Sequence, residues 1–388
     1  MSSEHSSESG YVNAHRAEYD GRYGPEINLG LANSPIGPEA GLEKALRERD
    51  PVKELASYPS DPYHDETREA LIDTFGLVGI GKEAVVFSGN GSYGAGDEVI
   101  NYLAKEGVGR VFAPIYSFPN VAQWTGRRKG IAYTPVIANG SLHPDDSLEL
   151  MSQMQPNKLR GNSVYIDYPN NPTGDANPTL VRKVVDNVGH AGGIPIVDMA
   201  FGETLGDEFG NIAQYTLDRG GIVLGSLSKT QGMPGLRTGY AILSPQHTSN
   251  GYSGNQRLVF GLSGESEFVY RYLLTRDKYG VHPAKRHAKA VAEYSANTNT
   301  QLYDGLRQAG LHILQTDIRT PIQVVASTIH SDLYQRLGRA GLVTESLADY
   351  GITTGNAHGY GDSAVRMLTP SPGQVEEVLR RVEIAVNL

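Results

Sequence analysis

Short apolar segments alternate with helical patterns between residues 84 and 243 of this chain. Each apolar segment is short enough to be a buried strand. A chain that alternates strands with helices forms a mainly parallel sheet covered by helices on both faces. We therefore predict an α/β fold with a seven-stranded sheet. The predicted strands are 84–87, 110–115, 131–135, 163–166, 194–197, 221–225 and 240–243.

The last third of the chain follows a different pattern. It becomes helical from about residue 265 and ends in a smaller α/β segment, with strands near 323–326 and 364–367 and a last helix at 372–386. No stretch resembles a flexible tether, so we expect both chain ends to build the second domain. The predicted division is 1–50 as N-terminal arm and part of the small domain, 51–265 as the large domain, and 266–388 as the small C-terminal domain.

Composition excludes several classes of function. The chain has 388 residues, a net charge of -9 at pH 7 and no cysteine. The charge argues against a nucleic-acid surface and against binding to anionic membranes. The lack of cysteine excludes disulfides, thiolate metal sites and thiol catalysis. No signal-peptide pattern and no apolar run of roughly 18 residues is present, so we expect a cytoplasmic protein. The histidines are scattered, and we predict no metal site.

Chemically useful residues follow five of the predicted strands. In open α/β sheets, ligands bind at the carboxyl ends of the strands, so these residues are expected to converge. They provide an amine, a carboxylate, an amide, aromatic rings and hydroxyls. The residues are Gly91, Ser92, Tyr93, Tyr116, Asn171, Asp198, Ser226, Ser228 and Lys229.

The first of these strand ends matches a dinucleotide fingerprint, Gly89-x-Gly91-x-x-Gly94. That fingerprint requires an acidic residue about 20 positions later, at the end of the next strand. The next strand ends in Ala-Pro-Ile-Tyr-Ser, which contains no acid, so we reject the dinucleotide interpretation. Glycines after a strand still allow backbone N–H groups and a helix N-terminus, here predicted at 97–105, to face a phosphate.

Lys229 lies just beyond a buried strand, after two serines and before Arg237. A lysine in this position, between hydroxyl groups and an arginine, suits an amine nucleophile beside an anion site. An ordinary solvated lysine in a loop would give the same local pattern. Together, the strand-end groups match the needs of pyridoxal 5'-phosphate. Its aldehyde is captured by a lysine, a carboxylate keeps its ring nitrogen protonated, and its phosphate requires N–H groups, hydroxyls and an arginine.

Several motifs in the chain resemble one family. The strongest are YPNNPTG from residue 168, and Ser-x-Ser-Lys with an arginine eight positions after the lysine. Weaker ones are ANSPIGP, SYP, SGNGS, PIYSFP, DMAF and AVRML, from residues 32, 57, 88, 114, 198 and 364. The chain resembles the fold-type I, pyridoxal-phosphate-dependent aminotransferases of class I/II, most closely the histidinol-phosphate aminotransferase-like branch. The resemblance implies an aspartate-aminotransferase-like fold and amino transfer between an α-amino acid, or a related amine, and a keto acid.

The resemblance also implies a role for each site residue. Lys229 would form the Schiff base and move the substrate proton, Asp198 would pair with the pyridine nitrogen, and Asn171 would donate to the phenolate oxygen. Tyr116 would stack on the ring. The phosphate would be held by Gly91, Ser92, Tyr93, Ser226 and Arg237, with Ser228 beside them and Tyr58 from the other subunit of a homodimer with shared active sites. Arg366 would bind the substrate carboxylate, with Asn33 close to it.

For several of these residues, the local sequence also allows a purely structural role. Tyr116 could be a core aromatic, Asp198 a cap or turn residue, and Asn171 a residue that stabilises its proline-containing turn. Arg366 lies in a strand-like run, where a structural ion pair is an alternative. Tyr58 has a role only if the protein is a dimer.

The sequence departs from the family pattern at Phe201, where the family usually has tyrosine. A phenol donor to the cofactor oxygen is therefore missing, and Asn171 alone would remain of that pair. The departure suggests an alternative function, a fold-type I enzyme of another reaction class, such as an amino-acid oxidase or hydroxylase, a lyase or a decarboxylase.

Overall fold

The computed structural model describes residues 18–31, 33–50, 61–138, 143–249, 262–314, 316–350 and 361–388. Tyr58 lies outside these residues. The described strands are β1 (Ile27–Asn28), β2 (Val85–Ser88), β3 (Arg110–Pro114), β4 (Ala132–Val136), β5 (Ser163–Asp167), β6 (Ile194–Asp198), β7 (Ile222–Ser226), β8 (Gly239–Leu243), β9 (His312–Ile313), β10 (Ile322–Ala326), β11 (Leu342–Val343), β12 (Glu345–Ser346) and β13 (Ala364–Leu368).

Helices connect most of these strands. They are α1 (Ala40–Arg47), α2 (Asp65–Phe75), α3 (Gly91–Lys105), α4 (Asn120–Gly126), α5 (Pro144–Ser152), α6 (Pro156–Leu159), α7 (Pro178–His190), α8 (Asp207–Asp218), α9 (Pro245–Ser249), α10 (Gly264–Leu274), α11 (Pro283–Gln308), α12 (Leu333–Arg339) and α13 (Val375–Asn387). No helix in the described ranges is both long and apolar enough to cross a bilayer.

A seven-stranded sheet forms the centre of the molecule, in the order β2-β8-β7-β6-β5-β3-β4. Only β8 runs against its neighbours, and the pairs from β7 to β4 are parallel. Because successive strand residues point to opposite faces, Val223 joins the core on one face while Ile222 and Leu224 join the core on the other. The prediction of a mainly parallel seven-stranded sheet is confirmed.

Both faces of this sheet are covered by helices. One core includes Leu71 and Phe75 of α2 with Val184 of α7, and the other includes Val99 of α3 and Trp124 of α4. Apart from the edge strand β4, the strands are therefore largely buried on both sides. Burial on both faces explains why they are recognisable as continuous apolar runs rather than alternating ones.

Two smaller sheets join the ends of the chain. β12, β13, β10 and β9 form an antiparallel sheet, and β1 pairs in parallel with β11. Ile27 and Leu29 share a core with Val365, and also with Val378 of the last helix. The smaller α/β unit is thus built from both chain ends, as predicted. The boundaries at residues 50 and 265 stay a prediction.

Candidate active site

A cavity of about 810 Å³ opens at the carboxyl ends of the central strands. Its walls come from the large sheet, from the N-terminal segment around Asn33, and from β13 of the small sheet. Most of the residues predicted from the sequence line it. These are Asn33, Gly91, Ser92, Tyr93, Asn171, Asp198, Phe201, Ser228, Lys229, Arg237 and Arg366.

One end of the cavity has the features of a phosphate site. α3 begins at Gly91, whose φ of +65° favours glycine. A Cβ on Gly239 would lie 2.2 Å from the carbonyl carbon of Gly91, so this helix start lies directly against β8. The first N–H groups of a helix have no acceptor inside the helix and attract anions.

The groups around this helix start supply positive charge and hydroxyls. Arg237 is exposed to the cavity and donates a hydrogen bond from Nη2 to Asn90 Oδ1 at 2.9 Å. Ser228 lines the cavity, and its backbone N–H donates to the Ser226 hydroxyl at 3.1 Å. Ser226 itself is not among the lining residues, and its hydroxyl donates to the Thr238 carbonyl at 3.0 Å. This geometry makes Ser226 a support for Ser228.

Lys229 follows β7 and lines the middle of the cavity, half-buried. Its Nζ lies 5.8 Å from the centroid of the Phe201 ring. Burial, followed by the positive charge of Arg366, lowers the pKa of Lys229 from 10.5 to about 8. A larger fraction of the amine is therefore neutral and nucleophilic near neutral pH than in an ordinary lysine.

Asp198 ends β6 and is buried at the floor of the cavity. Its carboxylate accepts a hydrogen bond from the Tyr165 hydroxyl at 2.6 Å and another from the Ala200 N–H at 3.0 Å. Burial raises its pKa, and the hydrogen bond from Tyr165 opposes that effect. A buried carboxylate oriented by two donors in this way can stabilise a cationic nitrogen that binds next to it in the cavity.

A second carboxylate, which the sequence analysis did not single out, lies beside Asp198. Asp167 ends β5 in register with Asp198 and also lines the cavity. It accepts hydrogen bonds from the Ser117 hydroxyl at 2.5 Å and the Phe118 N–H at 3.0 Å. Burial and the negative charge of Asp198 hold the pKa of Asp167 well above its usual value, which favours the neutral acid.

Arg366 is buried on β13 at the opposite wall. Its Nη1 donates to Asn171 Oδ1 at 3.1 Å, and its Nη2 lies 2.8 Å from Glu345 Oε1 and donates to the Gly30 carbonyl. The structural ion pair considered as an alternative is therefore present, and the same arginine also lines the cavity. Because Asn171 uses its amide oxygen here, its NH₂ is the donor it can offer to a ligand.

Besides Ser226, the predicted residues Tyr116 and Tyr58 are not among the described lining residues, whereas Phe201 is. Tyr116 is buried in a cluster with Val324 and Tyr350 and is not among the lining residues, whereas Phe118 is. Stacking of Tyr116 on a cofactor ring therefore stays a prediction, and Phe118 is the alternative on this segment. Phe201 lines the cavity from a small apolar cluster with Ile322 and Leu368. Tyr58 is outside the described residues.

Glu345 and Tyr350 also line the cavity, and sequence reasoning missed both. The Tyr350 hydroxyl donates to Glu345 Oε2 at 2.7 Å and lies 3.2 Å from Asn171 Oδ1. β12 pairs with β13 so that Glu345 is directly opposite Arg366. No local motif marks this pairing, because it depends on contacts between distant parts of the chain.

A group of potential metal ligands lies elsewhere in the described chain. His143, Asp145 and Asp175 each place one ligand-type atom within 4.8 Å of the others. Burial and the negative charge of Asp145 raise the pKa of Asp175 to about 7. The spacing of the histidines alone did not indicate this cluster, and none of its members lines the cavity.

Comparison with known proteins identifies the family. The model of the family described as aminotransferase class I and II matches residues 27–382. This chain belongs to that family. A histidinol-phosphate aminotransferase of Methanosarcina mazei is 28% identical over 368 residues, which covers 92% of this chain and 88% of the relative. One from Aquifex aeolicus is 31% identical over 248 residues, covering 62% and 63% of the two chains.

Solved structures share the fold. The histidinol-phosphate aminotransferase of Sinorhizobium meliloti, in complex with pyridoxal-5'-phosphate, has a TM-score of 0.70 at 18% identity and covers 94% of this chain and 91% of its own. Aspartate aminotransferase of Thermus thermophilus with maleate has a TM-score of 0.73 at 16% identity, with 93% and 92% covered. The fold is that of fold-type I enzymes, and the protein is a pyridoxal-phosphate-dependent aminotransferase.

The cavity fits this cofactor. The start of α3, Ser228 and Arg237 suit a phosphate, and the buried carboxylate of Asp198 suits a protonated ring nitrogen. Lys229, with its lowered pKa, suits an aldehyde. Gly239 lets the start of α3 lie against β8, because a Cβ there would collide with the backbone of Gly91.

The pKa of Lys229 leads to a test on the apoprotein. Only the neutral amine attacks an aldehyde, so we expect the rate of covalent capture of pyridoxal phosphate to rise with pH and level off above about 8. Stopped-flow absorbance would measure this rate. The same reaction of Nα-acetyl-lysine, measured at each pH, corrects for the titration of the aldehyde itself. A rate that keeps rising toward pH 10.5, the ordinary lysine value, would contradict the lowered pKa.

Proposed function

We propose that this aminotransferase takes its amino group from an α-amino acid whose carboxylate binds Arg366, and passes it to a keto acid. The observation that supports this most directly is the combination of Lys229, Asp198 and Arg366 in one cavity. In the proposed arrangement Lys229 would act at the α-carbon of the substrate, while Arg366 would fix the carboxylate. The α-proton is then presented to the amine.

Each residue in this proposal has a defined task. Lys229 would hold the cofactor through its aldehyde carbon, and as a general base and acid it would carry the proton from the substrate α-carbon to that same cofactor carbon. Asp198 keeps the cofactor nitrogen protonated, and Arg237 with the start of α3 anchors the phosphate. The cofactor, when bound, supplies an electron sink that stabilises negative charge at the α-carbon.

A single-turnover experiment tests the proposed function. Holoenzyme mixed with an α-amino acid, with no keto acid present, should release one equivalent of keto acid and then stop. Adding a keto acid acceptor should restart turnover. Continued turnover without an acceptor, accompanied by oxygen uptake or ammonia release, would instead support the other reaction classes suggested by Phe201.

Replacing Arg366 with lysine tests the carboxylate contact. Lysine keeps the positive charge but loses the planar fork that binds a carboxylate through two hydrogen bonds. Charge-assisted hydrogen bonds contribute about 1.5–3 kcal/mol, so we expect kcat/KM for α-amino acids to fall roughly 10- to 100-fold. The matched control is the decarboxylated amine of the same substrate, whose kcat/KM should change far less. An equal loss for both substrates would point to a structural role for Arg366.

We also infer that the enzyme is a homodimer in which Tyr58 of the partner subunit reaches the phosphate. The support for this is the SYP motif from residue 57, which is one of the motifs by which the chain resembles the family. Light scattering on active holoenzyme would test it, and the mass of a single chain would refute it. The cytoplasmic location stays a prediction.

The relatives' names suggest histidinol phosphate as one candidate amino donor. That amine carries a phosphate where an α-amino acid carries a carboxylate. It belongs in the same substrate screen, where it would compete with the α-amino acids for Arg366.

A further inference from the structure

The charges that line the cavity indicate which substrate side chain it can accept. Among the described lining residues, the acidic side chains are Asp167, Asp198 and Glu345, and the basic ones are Lys229, Arg237 and Arg366. The function proposed above uses all three basic groups, for the aldehyde, the phosphate and the substrate carboxylate. No basic side chain of the described lining is left for a second anion on the substrate.

The proposed function does not assign a role to every acidic side chain that lines the cavity. Asp198 is assigned to the cofactor nitrogen. Asp167 is held by the Ser117 hydroxyl and the Phe118 N–H, and its position beside Asp198 favours its neutral form. Glu345 has neither of these roles, and it is paired with Arg366, the group proposed to bind the substrate carboxylate.

Glu345 is held at the point where the substrate would bind. Cross-strand pairing of β12 with β13 places it opposite Arg366, with 2.8 Å between Oε1 and Nη2. The Tyr350 hydroxyl fixes its other oxygen at 2.7 Å, and its side chain keeps 20% exposure. A substrate carboxylate that binds Arg366 would therefore lie close to a second, fixed carboxylate.

That arrangement has an unfavourable charge balance for most amino acids. One guanidinium would face two carboxylates, which leaves one excess negative charge in a largely buried place, where Coulomb interactions are weakly screened. A neutral side chain leaves that charge uncompensated, and a second acid or a phosphate adds to it. A cationic side chain removes it.

We propose that Glu345 selects an amino donor whose side chain carries a cation, an amine or a guanidinium, and disfavours donors that carry a second carboxylate or a phosphate. This inference rests on the proposed function of the same cavity. Glu345 determines specificity here and takes no part in the proton transfers.

Isosteric substrate pairs test the proposal with holoenzyme. L-arginine and L-citrulline differ chiefly in charge, and L-ornithine and L-norleucine differ in the same way at the terminal group. We expect kcat/KM to favour the cationic member of each pair by about 10- to 100-fold, as for other close charge pairs. L-glutamate, whose side chain adds a second carboxylate, should be poorer than the neutral members. A preference for a neutral or anionic donor would overturn the inference.

Variants assign the preference to Glu345. Glu345→Gln should bring each cationic-to-neutral ratio to within about 3-fold of unity, mainly by lowering kcat/KM for the cationic member, because the favourable charge pair is lost. Glu345→Asp should keep part of the preference, and Asp167→Asn, which removes the neighbouring cavity acid, should keep the ratio. An equal loss for all donors in both Glu345 variants would mean that Glu345 only supports Arg366, and would refute the selection.

The proposed function and the role of Glu345 fail separately. If no amino donor gives a single turnover of keto acid, the proposed function is wrong. If donors react but the charge of the side chain has no influence on kcat/KM, the function stands and the role of Glu345 is wrong. Thermal unfolding of each variant would identify any loss caused by misfolding, and Glu345→Asp keeps the test open if Glu345→Gln does not fold.

Discussion

Replacement of Lys229 with alanine is expected to lower kcat by about 10⁴-fold or more. The variant loses the amine that bonds to the aldehyde and also the group that moves the α-proton, and general acid–base catalysis alone contributes about 10²- to 10⁴-fold. Binding of the cofactor phosphate should largely survive, because the start of α3 and Arg237 are unchanged. The measurement is single-turnover keto acid release, with cofactor content determined on the same sample.

Two controls separate chemistry from folding. Lys289→Ala removes a lysine on α11 whose side chain is 79% exposed, and should leave kcat unchanged. Adding a small primary amine to Lys229→Ala should restore part of the proton transfer, faster at higher pH as more of the added amine is neutral. Borohydride reduction of the wild-type holoenzyme should fix the cofactor to the peptide that contains Lys229. A Lys229→Ala variant within tenfold of wild type would refute both roles.

The strands of the large sheet could be predicted because burial on both faces leaves a clear apolar pattern. β7, for example, is Ile222–Ser226 against a predicted 221–225. Glycine and polar residues flank such runs. Since ligands bind at the carboxyl ends of strands in open α/β sheets, the ends of the runs indicate where a ligand binds. Asp198 and Lys229 were found by this reasoning, and both line the cavity.

The start of α3 shows why local propensity was insufficient. The helix was predicted at 97–105 but begins at Gly91. The prediction placed the start too late because Gly91, Gly94 and Gly96 all have low helix propensity. Tertiary contacts override that preference. The Gly91 N–H donates to the Arg237 carbonyl, and a Cβ on Gly96 would meet the Trp124 ring at 2.3 Å. The prediction of a phosphate site did not depend on this helix boundary, because it was based on glycines after a strand.

Residues brought in by distant pairing could not be found from the sequence. Glu345 belongs to a two-residue strand, too short to give a periodic signal, and reaches the cavity only because β12 pairs with β13. β1 is equally short, and it pairs with Leu342 and Val343. Asp167 directly follows the predicted strand 163–166, but its importance depends on the in-register neighbour Asp198.

The pair of adjacent carboxylates at the ends of β5 and β6 allows an unusually well matched test. Both are buried, both line the cavity, and they are directly opposite each other in a parallel ladder. Asp198→Asn and Asp167→Asn each replace one carboxylate with an amide of similar size. The two variants therefore differ mainly in which position loses its charge.

We expect Asp198→Asn to lower kcat by about 10²- to 10³-fold. A negative charge nearby raises the pKa of a basic nitrogen by about 1–3 units. At a pH above the pKa of the cofactor nitrogen, each unit changes the protonated fraction of that nitrogen by up to tenfold. The amide cannot hold that proton in place, so the electron sink weakens. Asp167→Asn should have a much smaller effect on kcat, because burial beside Asp198 already favours its neutral form.

The pH dependence gives a readout that a structural role would not produce. The loss in Asp198→Asn should shrink as pH falls, because acid then protonates the cofactor nitrogen without help from a carboxylate. Tyr165→Phe, which removes the hydroxyl that donates to Asp198, should have an intermediate effect, since the charge stays but its position is less fixed. If kcat fell equally in Asp198→Asn and Asp167→Asn at every pH, the two carboxylates would only stabilise the carboxyl ends of β5 and β6. That result would exclude the pairing of Asp198 with the ring nitrogen.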